Sequence, residues 1–194
     1  MDLKYLESLF PAFLEIQDPD LRYKSQLAMQ QAMEQGGWTE RNIDTVPVTL
    51  NWKECDISWV EHVTDVTEMC ILEFDKMKKY YARHNVPFCR DTVIAGALLH
   101  DIGKLTEFAP AGENSVVHSD NYHLMRHPLS GAIIANRAGL PDSIVHLIAV
   151  HSFEGDQSYH TAESEFVRTV DIFVFHCCVK GLENSLLEQK NKIF

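Results

Sequence analysis

The sequence is poor in basic residues. It has 17 lysines and arginines against 28 aspartates and glutamates, which gives a formal net charge of −11. A protein that binds the phosphate backbone of nucleic acid, or an anionic membrane, normally presents a basic face to it. The charge balance therefore argues against both kinds of partner, and we expect neither a nucleic-acid nor a membrane partner.

Long hydrophobic segments and paired cysteines are also missing. The apolar run over residues 93–99 is too short to cross a bilayer, and the N-terminus lacks the basic and apolar regions of a signal peptide. The five cysteines are scattered, odd in number and without zinc-ribbon spacing. This usage favours reduced thiols over a disulfide framework, so the expected location is the cytoplasm.

Strand signals are weak, whereas helical spacing of apolar residues recurs along the chain. Ser58, with Glu61 three residues later, predicts a capping box at the start of a helix that runs to about residue 82. Further helices are predicted over 3–16 (interrupted by Pro11), 18–36, 91–101 (capped by Asp91 or Thr92), 128–139, 141–151 and 161–181, the last ending at Gly181. Residues 38–52 and 106–122 are predicted as loops, the second long enough to act as a lid. The predicted fold class is all-α.

A His-Asp dipeptide ends the most apolar of these predicted helices. His100-Asp101 follows an apolar stretch and precedes Gly103, a residue typical of a helix end. A buried aspartate needs a partner such as a metal, and imidazole with carboxylate is a ligand mix that suits Mn, Fe or Zn. Because a carboxylate has two oxygens, Asp101 has the chemistry to bridge two ions.

Other histidines and one aspartate complete a longer motif. The order is His62, His100-Asp101, His127, His151 and Asp171. The surrounding segments are Trp59-Val-Glu-His62, Ala97-Leu-Leu-His100-Asp101-Ile-Gly-Lys104, Arg126-His127-Pro-Leu-Ser-Gly, Ile148-Ala-Val-His151 and Val170-Asp171. Over residues 56–180 the chain resembles the HD superfamily of metal-dependent phosphohydrolases.

This resemblance implies an architecture and a metal centre. It implies an HD-domain helical bundle over residues 53–181, with a small helical N-terminal extension and loop (1–52) and a C-terminal tail (182–194). One divalent transition metal would be held by His62, His100, Asp101 and Asp171, and a second by Asp101, His127 and His151. The metal is expected to be Mn, Fe or Zn.

The resemblance also implies an enzyme that uses a metal-activated water. The expected reaction is phosphomonoester hydrolysis of a small, anionic phosphorylated metabolite or nucleotide. Asp101 would orient or deprotonate the water and Lys104 would hold a substrate oxygen. Candidate substrate contacts are Lys104, His118, His123 and Arg126. A homo-oligomer is compatible with the sequence.

Other functions and structural interpretations stay open at this point. The same ligand set serves HD-type di-iron oxygenases that cleave C–C or C–P bonds with O₂, and it would also serve hydrolysis of a C–C or C–N bond or a non-catalytic ligand sensor. Asp171 could instead form a salt bridge with Arg168. His127 could cap a helix N-terminus, and His151 could sit at a helix C-terminus because the dipole favours it there.

Overall fold

The structure is a computed structural model that describes the backbone of residues 2–52, 55–112 and 115–191. The helices are α1 (Leu3–Leu9), α2 (Pro19–Gly36), α3 (Trp59–Arg83), α4 (Arg90–Leu99), α5 (Lys104–Glu107), α6 (His127–Arg137), α7 (Asp142–Val150) and α8 (Ala162–Asn191). Two strands, β1 (Phe108–Pro110) and β2 (Val116–His118), form an antiparallel pair, and short 3₁₀ helices occur at Pro11–Glu15, Ile43–Thr45 and Phe153–Gly155. The all-α fold class is confirmed. Residues 192–194 of the predicted tail lie outside the described residues.

Helix ends follow the capping chemistry of the sequence in α2 and α3. Asp18 accepts hydrogen bonds from the backbone N–H groups of Asp20 and Leu21 at the start of α2. At the start of α3 the Ser58 hydroxyl accepts from the Glu61 N–H, and the Glu61 carboxylate accepts from the Ser58 N–H in return. The predicted capping box is therefore confirmed.

Two predicted helix ends are wrong. Helix α4 begins after Cys89 rather than at Asp91 or Thr92, and the Asp91 carboxylate instead accepts from the backbone N–H groups of Gln17 and Asp18 at 3.0 and 2.8 Å. Helix α8 continues through Gly181 to Asn191. A single glycine costs a helix only about 1 kcal/mol relative to alanine, which a long helix tolerates.

Parts of the predicted loop over residues 106–122 form helix and strand instead. Its first residues belong to α5, and the N–H of Glu107 donates to the carbonyl of Gly103 as in a continuing helix. The strands β1 and β2 follow, with Phe108 opposite His118. A three-residue strand has no alternation long enough to be recognised, so this hairpin was not predictable from pattern alone.

The N-terminal helices share one hydrophobic core with the rest of the chain. Leu6, Phe10 and Met29 belong to the same buried cluster as Trp59 and Leu98. The Phe10 ring meets the Trp59 ring edge-on, with centroids 5.7 Å apart. Within the described residues, no helix combines the length and apolarity that crossing a bilayer requires.

The start of α6 lies against the turn between α4 and α5. A Cβ atom added at Gly103 would meet the carbonyl oxygen of His127 at 2.0 Å and Ser130 Oγ at 2.6 Å. Only glycine permits this approach, because backbone atoms cannot move aside as the end of a flexible side chain can. The contact brings His127 next to the segment that carries His100 and Asp101.

We expect Gly103→Ala to lower the free energy of unfolding by about 1–3 kcal/mol or more. This is the usual effect of forcing extra atoms into a packed site. Urea unfolding followed by circular dichroism measures the change. Gly181→Ala is the matched control, since a Cβ there meets nothing within 4 Å. The control should be neutral or slightly stabilising because alanine is the better helix former. Equal stability of the two variants would contradict the close packing at Gly103.

Candidate metal centre

The six side chains of the predicted motif converge in one buried place. His62 comes from α3, His100 and Asp101 from the end of α4, His127 from the start of α6, His151 from the end of α7 and Asp171 from α8. The histidines and Asp101 are buried, and the Asp171 side chain is 16% exposed. Helix ends and helix interiors far apart in sequence thus deliver their polar groups to a single point inside the bundle.

The six groups form two sets of three. In the first set, His62 Nε2 lies 3.3 Å from His100 Nε2 and 3.0 Å from Asp171 Oδ1. The His100 nitrogen lies 3.7 Å from the same aspartate oxygen. The second set consists of Asp101, His127 and His151, and in each set the donor atoms lie within 4.8 Å of one another.

Asp101, a member of the second set, also faces the first set. Its Oδ1 is 3.4 Å from His127 Nε2 and 3.4 Å from His151 Nε2. Its Oδ2 is 3.5 Å from the Nε2 atoms of His62 and His100. One carboxylate therefore presents one oxygen to each set, as a bridging ligand does.

This donor set fits a pair of divalent cations. Two ligands that bind one ion at about 2.0–2.2 Å lie about 2.8–3.9 Å apart at angles between about 90° and 125°, and the individual donor distances given above fall in that range. Asp101 Oδ2 is also buried without a hydrogen bond. Lys104 Nζ lies 2.6 Å from this oxygen and forms an ion pair with it. One ammonium offsets only one of the two negative charges of Asp101 and Asp171, so a cation bound here would still be favourable.

Backbone carbonyls determine which ring nitrogen carries the hydrogen in two of the imidazoles. His100 Nδ1 is 2.7 Å from the carbonyl oxygen of Ala97, and His151 Nδ1 is 2.8 Å from that of Ile148. Because a carbonyl can only accept, each Nδ1 must carry the hydrogen. In the neutral imidazole each Nε2 then carries the lone pair and faces Asp101, which is the arrangement that metal-binding histidines use.

The Glu107 carboxylate orients the His127 ring in the same way, and this residue was not predicted from the sequence. Its Oε2 lies 3.1 Å from His127 Nδ1 and accepts the backbone N–H of His127 at 2.6 Å. The other carboxylate oxygen pairs with Arg126. Glu107 is only 3% exposed. No sequence pattern identifies it, because it fell in a predicted loop and its partner is 20 residues away.

The charge states suit cation binding. Burial lowers the pKa of His62 and of His127, so these imidazoles are neutral near pH 7. Burial acts to raise the pKa of Asp171, but the hydrogen bond with His62 and the charge of His100 lower it to about 2. Burial likewise opposes ionisation of Asp101, yet Lys104 and His100 hold its pKa well below the usual range. The two carboxylates are therefore ionised, and the imidazoles of His62 and His127 are neutral. Burial acts to lower the pKa of His100, but the charges of Asp101 and Asp171 raise it, so a metal ion bound at its Nε2 would displace a proton there.

A cavity of about 400 Å³ opens above the metal centre. Of the four predicted substrate contacts, Lys104, His118 and Arg126 line it, whereas His123 is exposed and not among the lining residues. The alternative pairing of Asp171 with Arg168 does not occur, since Arg168 pairs with Asp156. His127 does not cap α6 with its side chain; His151 does lie at the end of α7 but also faces Asp101.

Several cavity-lining residues carried no signal in the sequence. They are Val48, Thr49, Leu50, Asn51, Phe153, Asp156, Arg168, Ile172 and Phe175. The first four belong to the N-terminal segment. Phe153 lies in the 3₁₀ segment after α7, Asp156 directly follows that segment, and the others lie in α8. Their common property is position in the fold, which a single sequence does not reveal.

The sequence is similar to those of known proteins. The HD domain family model matches residues 59–173. The dihydroneopterin 2′,3′-cyclic phosphate phosphodiesterase of Methanocaldococcus jannaschii is 26% identical over 161 residues, which cover 77% of this chain and 62% of the relative. The chain thus spans less than two thirds of that relative's length. No solved structure matches the chain.

We expect Glu107→Gln to weaken divalent-metal binding by about 10- to 100-fold, because loss of the carboxylate charge makes His127 a poorer ligand. Titration of the metal-free protein with Mn²⁺, followed by calorimetry, measures the affinity. Glu68→Gln, an exposed change on α3, serves as the control. If Mn²⁺ bound both variants as it binds the wild type, Glu107 would have no role in holding His127.

Proposed function

The chain belongs to the HD domain family, and from that premise we propose that it is a metal-dependent phosphohydrolase acting on a small phosphorylated metabolite or nucleotide. The observation that carries the proposal is the bridging position of Asp101 between two His/Asp sets at the floor of a cavity. The relative from M. jannaschii favours a cyclic phosphodiester as the substrate, beside the phosphomonoester expected from the sequence. In either case water adds across one P–O ester bond, and an alcohol oxygen leaves with a proton.

We assign two ions to the centre. His62, His100, Asp171 and Asp101 Oδ2 would hold one, and Asp101 Oδ1, His127 and His151 the other. Mn, Fe and Zn all suit these ligands. When bound, such ions lower the pKa of a coordinated water toward neutrality and offset negative charge on phosphate oxygens.

Lys104 and Arg126 are the basic groups proposed to bind the phosphate. The Lys104 side chain is 13% exposed, lines the cavity and places Nζ beside the Asp101 carboxylate. Arg126 is positioned by Glu107 and Glu154, and its guanidinium lies over the Tyr122 ring, 4.9 Å from the centroid. Charge-assisted hydrogen bonds from such groups orient a phosphate and are stronger than neutral ones.

The charge of the cavity explains how an acidic protein would attract an anion. Four lining residues are acidic (Asp101, Glu107, Asp156, Asp171) and three are basic (Lys104, Arg126, Arg168), so their sum is −1. Two divalent cations would change the sum by +4, to +3. The formal net charge of −11 disfavours binding of nucleic acid, whereas the loaded cavity would favour a small anion.

We expect the metal-free protein to take up two equivalents of Mn²⁺, and His151→Ala to take up one tightly bound equivalent, because the first set retains its ligands. Inductively coupled plasma mass spectrometry after desalting measures the ratio. His84→Ala, an exposed histidine after α3, should still bind two equivalents. A single equivalent in the wild type would reject the dinuclear assignment.

We expect Asp101→Asn to lower kcat by more than about 100-fold, since one substitution removes the charge that holds both ions. The assay follows hydrolysis of 2′,3′-cyclic AMP and of 5′-AMP by Mn²⁺-loaded protein. Circular dichroism checks the fold, and Asp142→Asn, an exposed change on α7, is the control.

Two outcomes would overturn the proposed function. One is a fully active Asp101→Asn variant. The other is wild-type protein that hydrolyses neither phosphate ester but consumes O₂ when loaded with iron, which would favour the oxygenase interpretation instead.

A further inference from the structure

The 3₁₀ segment that follows His151 places a phenylalanine at the mouth of the cavity. We propose that Phe153 is a stacking surface for a flat nitrogen heterocycle carried by the substrate's alcohol. This inference rests on the proposed function and narrows its substrate class to phosphate esters of nucleoside-like alcohols.

Phe153 combines high exposure with a place in the cavity wall. Its side chain is 69% exposed, and it is among the lining residues. An isolated exposed aromatic residue is ordinary on a protein surface. At the rim of a cavity, however, stacking of another flat apolar face on an exposed aromatic ring is favourable, because it displaces water from both faces.

The backbone that carries Phe153 is held from two helices. Its neighbour Glu154 pairs with Arg126 at the start of α6, and Asp156 pairs with Arg168 of α8. Ser152 Oγ also donates to the Glu154 carboxylate at 2.6 Å. A backbone held in this way limits where the Phe153 ring can lie, so binding has less conformational freedom to remove.

The same segment also packs closely on the end of α7. A Cβ atom at Gly155 would meet the Val150 carbonyl oxygen at 2.3 Å, and His160 Nε2 donates to the Gly155 carbonyl at 3.1 Å. These contacts keep the short segment against the helix whose last residue precedes His151. The segment that carries Phe153 is therefore anchored to the end of α7.

Phe153 is close along the chain to a ligand of the second set. Phe153 lies two residues after His151, so their Cα atoms are at most about 7 Å apart. His151 and Phe153 line the same cavity. The alcohol part of a phosphate ester bound at this centre would therefore occupy the cavity that Phe153 lines.

The other residues of the cavity wall offer apolar contacts for the flat faces of a heterocycle and polar contacts for its edge. Apolar side chains that would face the flat of a ring are Val48, Leu50, Ile172 and Phe175. Thr49 and Asn51 add a hydroxyl and an amide to the same wall. Such groups form hydrogen bonds with ring nitrogens and exocyclic substituents, which a plain hydrocarbon ring lacks.

The test compares two cyclic phosphates that differ in the base alone. One is 2′,3′-cyclic AMP, and the other is methyl ribofuranoside 2,3-cyclic phosphate, which has a methoxy group in place of the base. We expect wild-type kcat/KM to favour the first. Phe153→Ala should reduce that preference by about 5- to 100-fold, the range for losing one base–aromatic stack. The loss should appear chiefly in KM.

Two variants control for indirect effects. Phe153→Tyr keeps an aromatic face and should retain most of the preference. Phe173→Ala removes a phenylalanine of α8 that is 57% exposed and does not line the cavity, so it should leave the preference unchanged. An unaltered preference in Phe153→Ala, with hydrolysis intact, would overturn the stacking role while the proposed function stands.

A binding measurement keeps the two proposals distinguishable if no hydrolysis is seen. Calorimetry of Mn²⁺-loaded protein gives the dissociation constants of 2′-AMP and inorganic phosphate. Tighter binding of 2′-AMP that Phe153→Ala abolishes would support the stacking surface even if the phosphohydrolase proposal fails. Equal binding of 2′-AMP and phosphate by the wild type would reject it.

Discussion

The buried carboxylate of Asp101 is the constraint on which the rest of this structure depends. An ionised group without water requires compensating charge. Lys104 supplies one positive charge through an ion pair with Oδ2. The Asp171 carboxylate belongs to the same cluster, so one ammonium does not offset both negative charges. Divalent cations held by the surrounding imidazoles and carboxylates would offset the rest, and the position of Asp101 favours them.

The ends of helices solve the problem of holding imidazoles in one orientation. The last carbonyls of a helix have no partner within that helix. His100 and His151 each follow the final turn of a helix and donate Nδ1–H to the carbonyl three residues earlier. The same contact satisfies the helix end and fixes the tautomer. His127 lies at a helix start, where no free carbonyl exists, and it uses the Glu107 carboxylate instead.

This difference explains what the sequence could and could not predict. Ligands that follow apolar helical segments, such as His100 and Asp101, stand out because a polar residue interrupts a local pattern. Glu107 and Arg168 depend on partners brought close by the tertiary fold, and neither interrupts a pattern. The helices were largely predictable from apolar spacing and caps. The short hairpin and the true start of α4 were not, because they depend on pairing and on distant backbone donors.

The N-terminal segment supports the metal centre rather than merely preceding it. Trp38 Nε1 donates to the carbonyl of Leu105 at 2.6 Å, and Trp59 Nε1 donates to the carbonyl of Asp101 at 3.1 Å. The two indoles thus hold the short turn that carries the His-Asp pair at both of its ends. Trp59 is itself buried against Phe10.

The region matched by the HD domain family begins at residue 59, so Trp38 and Phe10 lie outside it. Without them the Leu105 carbonyl would lose a buried donor, and the Trp59 ring would lose an aromatic neighbour. A buried carbonyl left without its donor costs about 1–3 kcal/mol. The position of Asp101 therefore depends on residues that the family motif does not include, and the first 50 residues belong to the physical unit that forms the site.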